Sequence, residues 1–300
     1  APAHRVWQLG IGMKTFETKQ NSAFGKIPEK VHQPQILGIL NVTADSVSDG
    51  GRYLEKDAAC RQAQALYSQG ADFVELGPAS SNPNASPVSV EEEARRIIPV
   101  IEFLSQENIP FALDSCQPDT QLLAAAHGAT LLNDILGFPN EAICEQLSSY
   151  SCNLVMMHSM QQKTQADTTR YGFSEVWDHL LRFFEAGIER LVRAGIAQER
   201  IILDPGMGFF LSSDPLVSIA VLQKLPELKE RFCCELFVSV SRKSFLRALA
   251  ETSVEESGVV SVLAELACVQ RGVRYIRTHE PKPLRAALRF QQALSTIRQT

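Results

Sequence analysis

From about residue 36 the chain alternates between short apolar runs and longer amphipathic stretches. The runs are ILGILNVT (36–43), DFVELG (72–77), FALDS (111–115), TLLNDI (130–135), NLVMMH (153–158), IILDPG (201–206), LFVSVSRK (236–243) and YIRTH (275–279). Between them lie stretches such as KDAACRQAQALYSQG, SVEEEARRIIPVIEFLSQ and GFSEVWDHLLRFFEAGIERLVRAG, and Gly70, Gly128, Gly195 and Gly272 stand where helices would end. Near-continuous apolar strands separated by helices describe a parallel sheet covered by helices. Eight such units predict one closed α/β barrel, the (β/α)8 TIM fold, over residues 35–300. Residues 1–34 read as an N-terminal tail and lead-in. Met13-Lys14 looks like a natural start, which leaves residues 1–12 as an expression remnant.

Each run carries polar residues at or near its C-terminal end: Asn41, Glu75, Asp114, Asn133 with Asp134, His158, Asp204, Ser241 to Lys243, and Arg277 with His279. A barrel brings those ends to one face, where sites are built from strand ends and the loops that follow. A lone His158 or Asp114 would pass as a capping or satisfied core residue. The same placement on all eight strands points to a polar pocket instead. Carboxylates (Asp114, Asp204 and possibly Glu75) beside amides (Asn41, Asn133) can read a flat heterocycle that displays donors and acceptors in a row. Cationic groups at Lys243, Arg277 and His279 suit an anionic end.

Composition narrows the field. The chain has 300 residues, 45% hydrophobic and 21% charged, with a net charge of −5 and no basic stripe, which argues against a nucleic-acid partner. No apolar run approaches the ~20 residues of a membrane span, and the start, APAHRVWQLGIG, lacks a signal peptide's pattern. Seven cysteines without C-x-x-C pairs read as reduced thiols of a cytoplasmic protein. There is no G-x-S-x-G, H-E-x-x-H or Walker loop, and no zinc spacing. A Mg²⁺ bridged by substrate phosphates could still bind through Asn41, since that ion needs few protein ligands.

Across Gln35 to Leu294 the sequence resembles dihydropteroate synthase. GILNVTADSVSDGG is similar to the family's GILNVTPDSFSDGG, with Ala44 and Val47 replacing Pro and Phe; VSVEEEARRIIPVI, NDILGF, LDPGMGF, SRKSF and RTHE follow in the family's order. The resemblance implies condensation of 6-hydroxymethyl-7,8-dihydropterin pyrophosphate with p-aminobenzoate, giving 7,8-dihydropteroate and pyrophosphate, with Mg²⁺ and usually a homodimer. By position it implies Asp114, Asn133, Met157, Asp204 and Lys243 around the pterin. Asn41, Arg277 and His279 would hold pyrophosphate, with the metal on Asn41, and Ser81, Ser241 or Ser244 would face p-aminobenzoate. Asp114, Asp204, Lys243 and Arg277 are the implied catalytic set.

Departures from the family pattern point further. GPASSNPNA (77–85) stands where the ordinary bacterial enzyme has a loop like GGESTRPGA, and MGFFLS replaces FGFGK after Asp-Pro-Gly. Such changes look like those of the sulfonamide-insensitive synthases on mobile resistance elements. A phenylalanine at the edge of the aryl pocket would clash with a sulfonamide's larger tetrahedral group while admitting the flat substrate. Phe209 and Phe210 are the candidates, with core packing as the plain alternative for either. A pterin-dependent methyltransferase of the same barrel and a catalytically silent pterin binder are the other readings the pocket residues allow.

Overall fold

All eight apolar runs form strands in the computed structural model, which describes residues 33–42, 52–79, 88–161 and 169–297. In chain order the elements are β1 (Gln35–Asn41), α1 (Arg52–Ser68), β2 (Phe73–Gly77), α2 (Val90–Gln106), β3 (Phe111–Asp114) and α3 (Pro118–Ala126). Then come β4 (Leu131–Asp134), α4 (Glu141–Ser148), β5 (Asn153–Met157), α5 (Phe173–Arg193) and β6 (Ile201–Asp204). The last part holds α6 (Pro215–Gln223), α7 (Leu225–Phe232), β7 (Glu235–Val238), α8 (Ser244–Ala250), α9 (Gly258–Gln270), β8 (Tyr275–Thr278) and α10 (Pro281–Ile297). Each strand runs parallel to its neighbour, and β8 closes the barrel on β1 with Gln35 opposite Tyr275.

Local chemistry explains the element ends. Ser89 caps α2 by accepting the Glu92 N–H, and Glu91, Glu92 and Glu93 fill its first turn, where acids favour the helix dipole. Along α5, Val176, Trp177, Leu180, Phe184 and Leu191 recur at helical spacing and are buried against the barrel. Gly70, Gly128, Gly195 and Gly272 end their helices with φ of 102, 85, 90 and 85°. Several strands end short of the sequence reading, by the most at β7. β7 stops at Val238, so Ser241 to Lys243 lie in the loop, not on the strand. There Arg242 turns to φ 59° and its N–H is taken by Ser261 on α9.

The barrel interior is layered. Leu37, Ala112, Leu131, Val155, Ile202 and Phe237 form one apolar layer, with Phe73 and Tyr275 packed against it. Because side chains alternate along a strand, the next inward residue is two positions further on. From β1 that step reaches Ile39, and from the other strands Glu75, Asp114, Asn133, Met157, Asp204, Ser239 and Arg277, most of them polar. An apolar floor thus carries a polar layer at the C-terminal mouth.

Candidate active site

Asp204 ends β6 almost fully buried, at 3% exposure. Its Oδ1 accepts the Gly206 N–H at 2.8 Å, a turn that Pro205 and Gly206 at φ 70° make possible. His158 braces this turn: its backbone N–H donates to the Asp204 carbonyl at 2.8 Å, and Nδ1 meets the Pro205 carbonyl at 3.1 Å. A carbonyl can only accept, so Nδ1 carries the proton and Nε2 accepts from His179 Nδ1 at 2.9 Å. Burial, with His179 beside it, lowers the His158 pKa to about 3, so this histidine is a neutral scaffold.

Charge is concentrated around Arg277. Its Nε donates to Glu75 and its Nη2 to Asp114 Oδ2 at 2.7 Å. Burial pushes Glu75 up to about 7, with Arg277 opposing and Asp114 adding. Burial likewise raises Asp204 to about 6, against the Gly206 N–H and Lys243. Lys243 is lowered to about 8, by burial first and then by Arg277, with Asp204 opposing. Burial would lower Arg277 as well, but Glu75 and Asp114 outweigh it and the guanidinium stays charged. The Lys243 ammonium lies 5.0 Å from the centre of the Phe210 ring. Asn133 Oδ1 is buried with no partner among the described residues, although Asn133 lines the cavity. A buried acceptor left open beside paired carboxylates is a place prepared for a ligand's N–H.

Residues 37–279 match the family model described as pterin binding enzyme. The chain is 50% identical over 259 residues to the dihydropteroate synthase type-2 of Escherichia coli, covering 86% of this chain and 95% of that protein. The chain belongs to the dihydropteroate synthases. Two solved synthases of Xanthomonas albilineans share its fold. One, with 4-aminobenzoic acid, is 32% identical with a TM-score of 0.79, covering 88% of this chain and 94% of that one. The other, in complex with 7,8-dihydropteroate, is 30% identical with a TM-score of 0.75, covering 88% and 95%. These relatives place the chain with the synthases, which are transferases, and not with the methyltransferases of the same barrel.

Within the synthase barrel Asp114, Asn133, Met157, Asp204, Lys243, Arg277 and Phe210 line one cavity. Phe209 is 40% exposed and is not among the lining residues, whereas Phe210 is 6% exposed. Asn41 is exposed at the end of β1, beside Gly77, whose added Cβ would lie 3.3 Å from Asn41 Oδ1. Ser244 opens α8 next to Gly208, and Ser81 lies outside the described residues. Ser241 Oγ is engaged by His279, accepting its N–H at 3.3 Å and meeting Nδ1 at 3.0 Å. His279 is not the cation that the sequence reading made it. Burial, with Arg242, Arg277 and Lys243 close by, lowers it to about 4, so it is neutral at pH 7. Asp134 turns outward and accepts from Gln121 and from the Leu136 and Phe138 N–H groups, fixing the loop after β4.

Seven lining residues escaped the sequence reading, the apolar Ala79, Ile135 and Met207 and four with polar or titratable side chains, Glu93, Ser115, Cys116 and Ser239. Ser239 stands two positions beyond inward-facing Phe237, so strand alternation could have found it. Glu93 shares the buried stripe of α2 with Ile97, Val100 and Ile101, an acid on an apolar face. It accepts the Ser115 hydroxyl at 2.6 Å. Cys116 gave no signal, and burial pushes its thiol up to about 12.

Proposed function

We propose that the protein condenses 6-hydroxymethyl-7,8-dihydropterin pyrophosphate with p-aminobenzoate, forming 7,8-dihydropteroate and pyrophosphate for folate synthesis, and that it does so in the presence of sulfonamides. The observation that carries this reading is the polar layer: Asp114, Asp204 and the open Asn133 Oδ1 face one cavity under Lys243 and Arg277. Asp114 and Asp204 accept the donor edges of the pterin, and Asn133 Oδ1 takes a further N–H. Lys243 donates to a pterin acceptor. As pyrophosphate departs from the exocyclic carbon, positive charge grows on the ring, and the two aspartates stabilise it. Arg277 balances the leaving group. The aryl amine then attacks that carbon in place of the departed pyrophosphate and gives up a proton to solvent, with no protein nucleophile required.

Among the described residues no group of three His, Cys, Asp or Glu is placed to hold a metal ion. Asn41 offers one neutral oxygen at the exposed end of β1. That donor set fits Mg²⁺, which keeps most of its waters and shares phosphate oxygens. Bound there, the ion would neutralise charge on the pyrophosphate.

Assembly as a homodimer belongs to the same proposal. Val259 and Leu263 on α9, and Phe290 and Leu294 on α10, are exposed apolar pairs one helical turn apart on packed helices. No described helix is long and apolar enough to cross a membrane.

The test is pyrophosphate release from the pterin pyrophosphate, p-aminobenzoate and Mg²⁺, with and without sulfamethoxazole. Turnover that persists with drug well above the p-aminobenzoate KM supports both halves. Turnover abolished by drug retires the insensitivity, and pterin binding without product leaves the silent binder.

A further inference from the structure

We propose that Glu75 is the positioning residue that lets Arg277 release Asp114 to the substrate while remaining fixed at the barrel mouth. This rests on the pterin pyrophosphate reading above. Arg277 is shared between two carboxylates, with Nε on Glu75 and Nη2 on Asp114. The two partners differ in what else they can do. Asp114 is about a quarter exposed and lines the cavity, where the pterin needs its oxygens. Glu75 is fully buried at 0% exposure, one layer-step above Phe73, and does not line the cavity. It therefore cannot touch the substrate and acts only through Arg277.

Two further observations fit an anchor. Among the described residues Glu75 Oε1 has no partner, and the carboxylate meets Arg277 through Oε2. The charged groups that bear on Glu75 are Asp114 on β3, Asp204 on β6 and Arg277 on β8, and Arg277 alone among them is positive. An ionised Glu75 in that setting is tied to the guanidinium. If Glu75 loses its charge, Arg277 is drawn wholly to Asp114, because a charge in a low-dielectric interior follows its remaining counter-ion. Asp114 then has to be freed from a stronger pair before it can accept the pterin.

The consequence is selective. Loss of the anchor impairs the pterin pyrophosphate and leaves p-aminobenzoate recognition almost untouched. The experiment measures both KM values by pyrophosphate release, and pterin pyrophosphate binding by calorimetry, for the wild type, Glu75→Gln and Glu75→Asp. In Glu75→Gln the KM and Kd for pterin pyrophosphate rise about 10-fold, equivalent to ~1.4 kcal/mol, while the p-aminobenzoate KM changes by less than about 2-fold. Glu75→Asp keeps the charge and recovers part of the loss. Unchanged pterin binding in Glu75→Gln overturns the proposal, and so does an equal rise in both KM values, the mark of a general distortion. Should Glu75→Gln fail to fold, Glu75→Asp decides. A pterin-selective rise from the shortened anchor supports the proposal, and wild-type constants overturn it. A wild type that binds pterin pyrophosphate without turning it over retires the reading of the activity, and the calorimetric arm still decides the anchor.

Discussion

The Lys243 ammonium and the Phe210 ring face each other at 5.0 Å, and both line the cavity. Phe210 is thereby pinned at the mouth, between the turn after β6 and the loop that precedes α8. On the proposed function it is the side chain that would exclude a ligand larger than p-aminobenzoate. Phe210→Leu or Phe210→Gly should therefore lower the sulfamethoxazole concentration that halves turnover by about 10-fold or more, as expected when a clash is relieved. Phe209→Leu, on the exposed neighbour, should change it by less than about 2-fold. Equal effects at the two positions would remove the assignment.

Much of this was legible in the sequence because a barrel strand advertises itself twice, by its apolar run and by the polar residue at its end. Asp114, Asn133, Asp204 and Arg277 all stand two positions beyond an inward apolar residue, so period-2 alternation finds them. The same rule would have turned Asp134 outward and added Ser239. His279 was misjudged for a different reason. A histidine's charge depends on what surrounds it: burial acts first, and Arg242 and Lys243 from the loop after β7 add to Arg277, two positions away. Ser241 was aimed at the substrate, yet the turn at Arg242 brings it to His279 instead. The choice between Phe209 and Phe210 needed the short 3-10 turn over Gly208–Phe210, whose phase no sequence pattern set.

Asp204 should be indispensable for turnover and dispensable for folding. Asp204→Asn keeps the side chain's size but removes the charge that faces the developing cation, so kcat falls by about 100-fold or more. Its ionised form is the active one, and burial raises it to about 6. Wild-type kcat should accordingly fall as the pH drops below about 6, while protonation of Glu75, raised to about 7, adds to the fall in kcat/KM through the pterin pyrophosphate KM. Lys243, lowered to about 8, should set the alkaline limb as it loses its proton. A flat profile across both values would contradict the assignment of these two groups.

Gly206→Ala should be among the most damaging small substitutions in the chain. A Cβ there would lie 2.4 Å from the His158 carbonyl oxygen, at a φ of 70° that side chains rarely adopt. The turn cannot yield without displacing Asp204 or His158. Strain and clash together should cost about 3 kcal/mol or more, with a matching fall in Tm. Gly128→Ala has the same sign of φ, at 85°, with nothing within 4 Å. It should cost only about 1 kcal/mol. Similar losses at the two sites would show that the close approach to His158 does not matter.

Glu265, on α9, should make stability fall as the pH rises. It is completely buried, and neither of its carboxyl oxygens has a partner at hydrogen-bonding geometry. Burial raises it to about 8 from its ordinary value of 4.5, with the Thr278 hydroxyl opposing and Glu280 adding. A carboxyl whose pKa is raised on folding binds its proton more tightly in the native state. Its contribution is therefore complete below about 4.5 and is lost as the pH rises towards about 8. Glu265→Gln keeps the neutral shape at every pH and removes that loss. Relative to wild type, it should be close to neutral at pH 5 and stabilising by about 2 kcal/mol at pH 8. Denaturant unfolding at the two pH values checks this. A variant less stable than wild type at both would mean that Glu265 is ionised and satisfied in the folded protein.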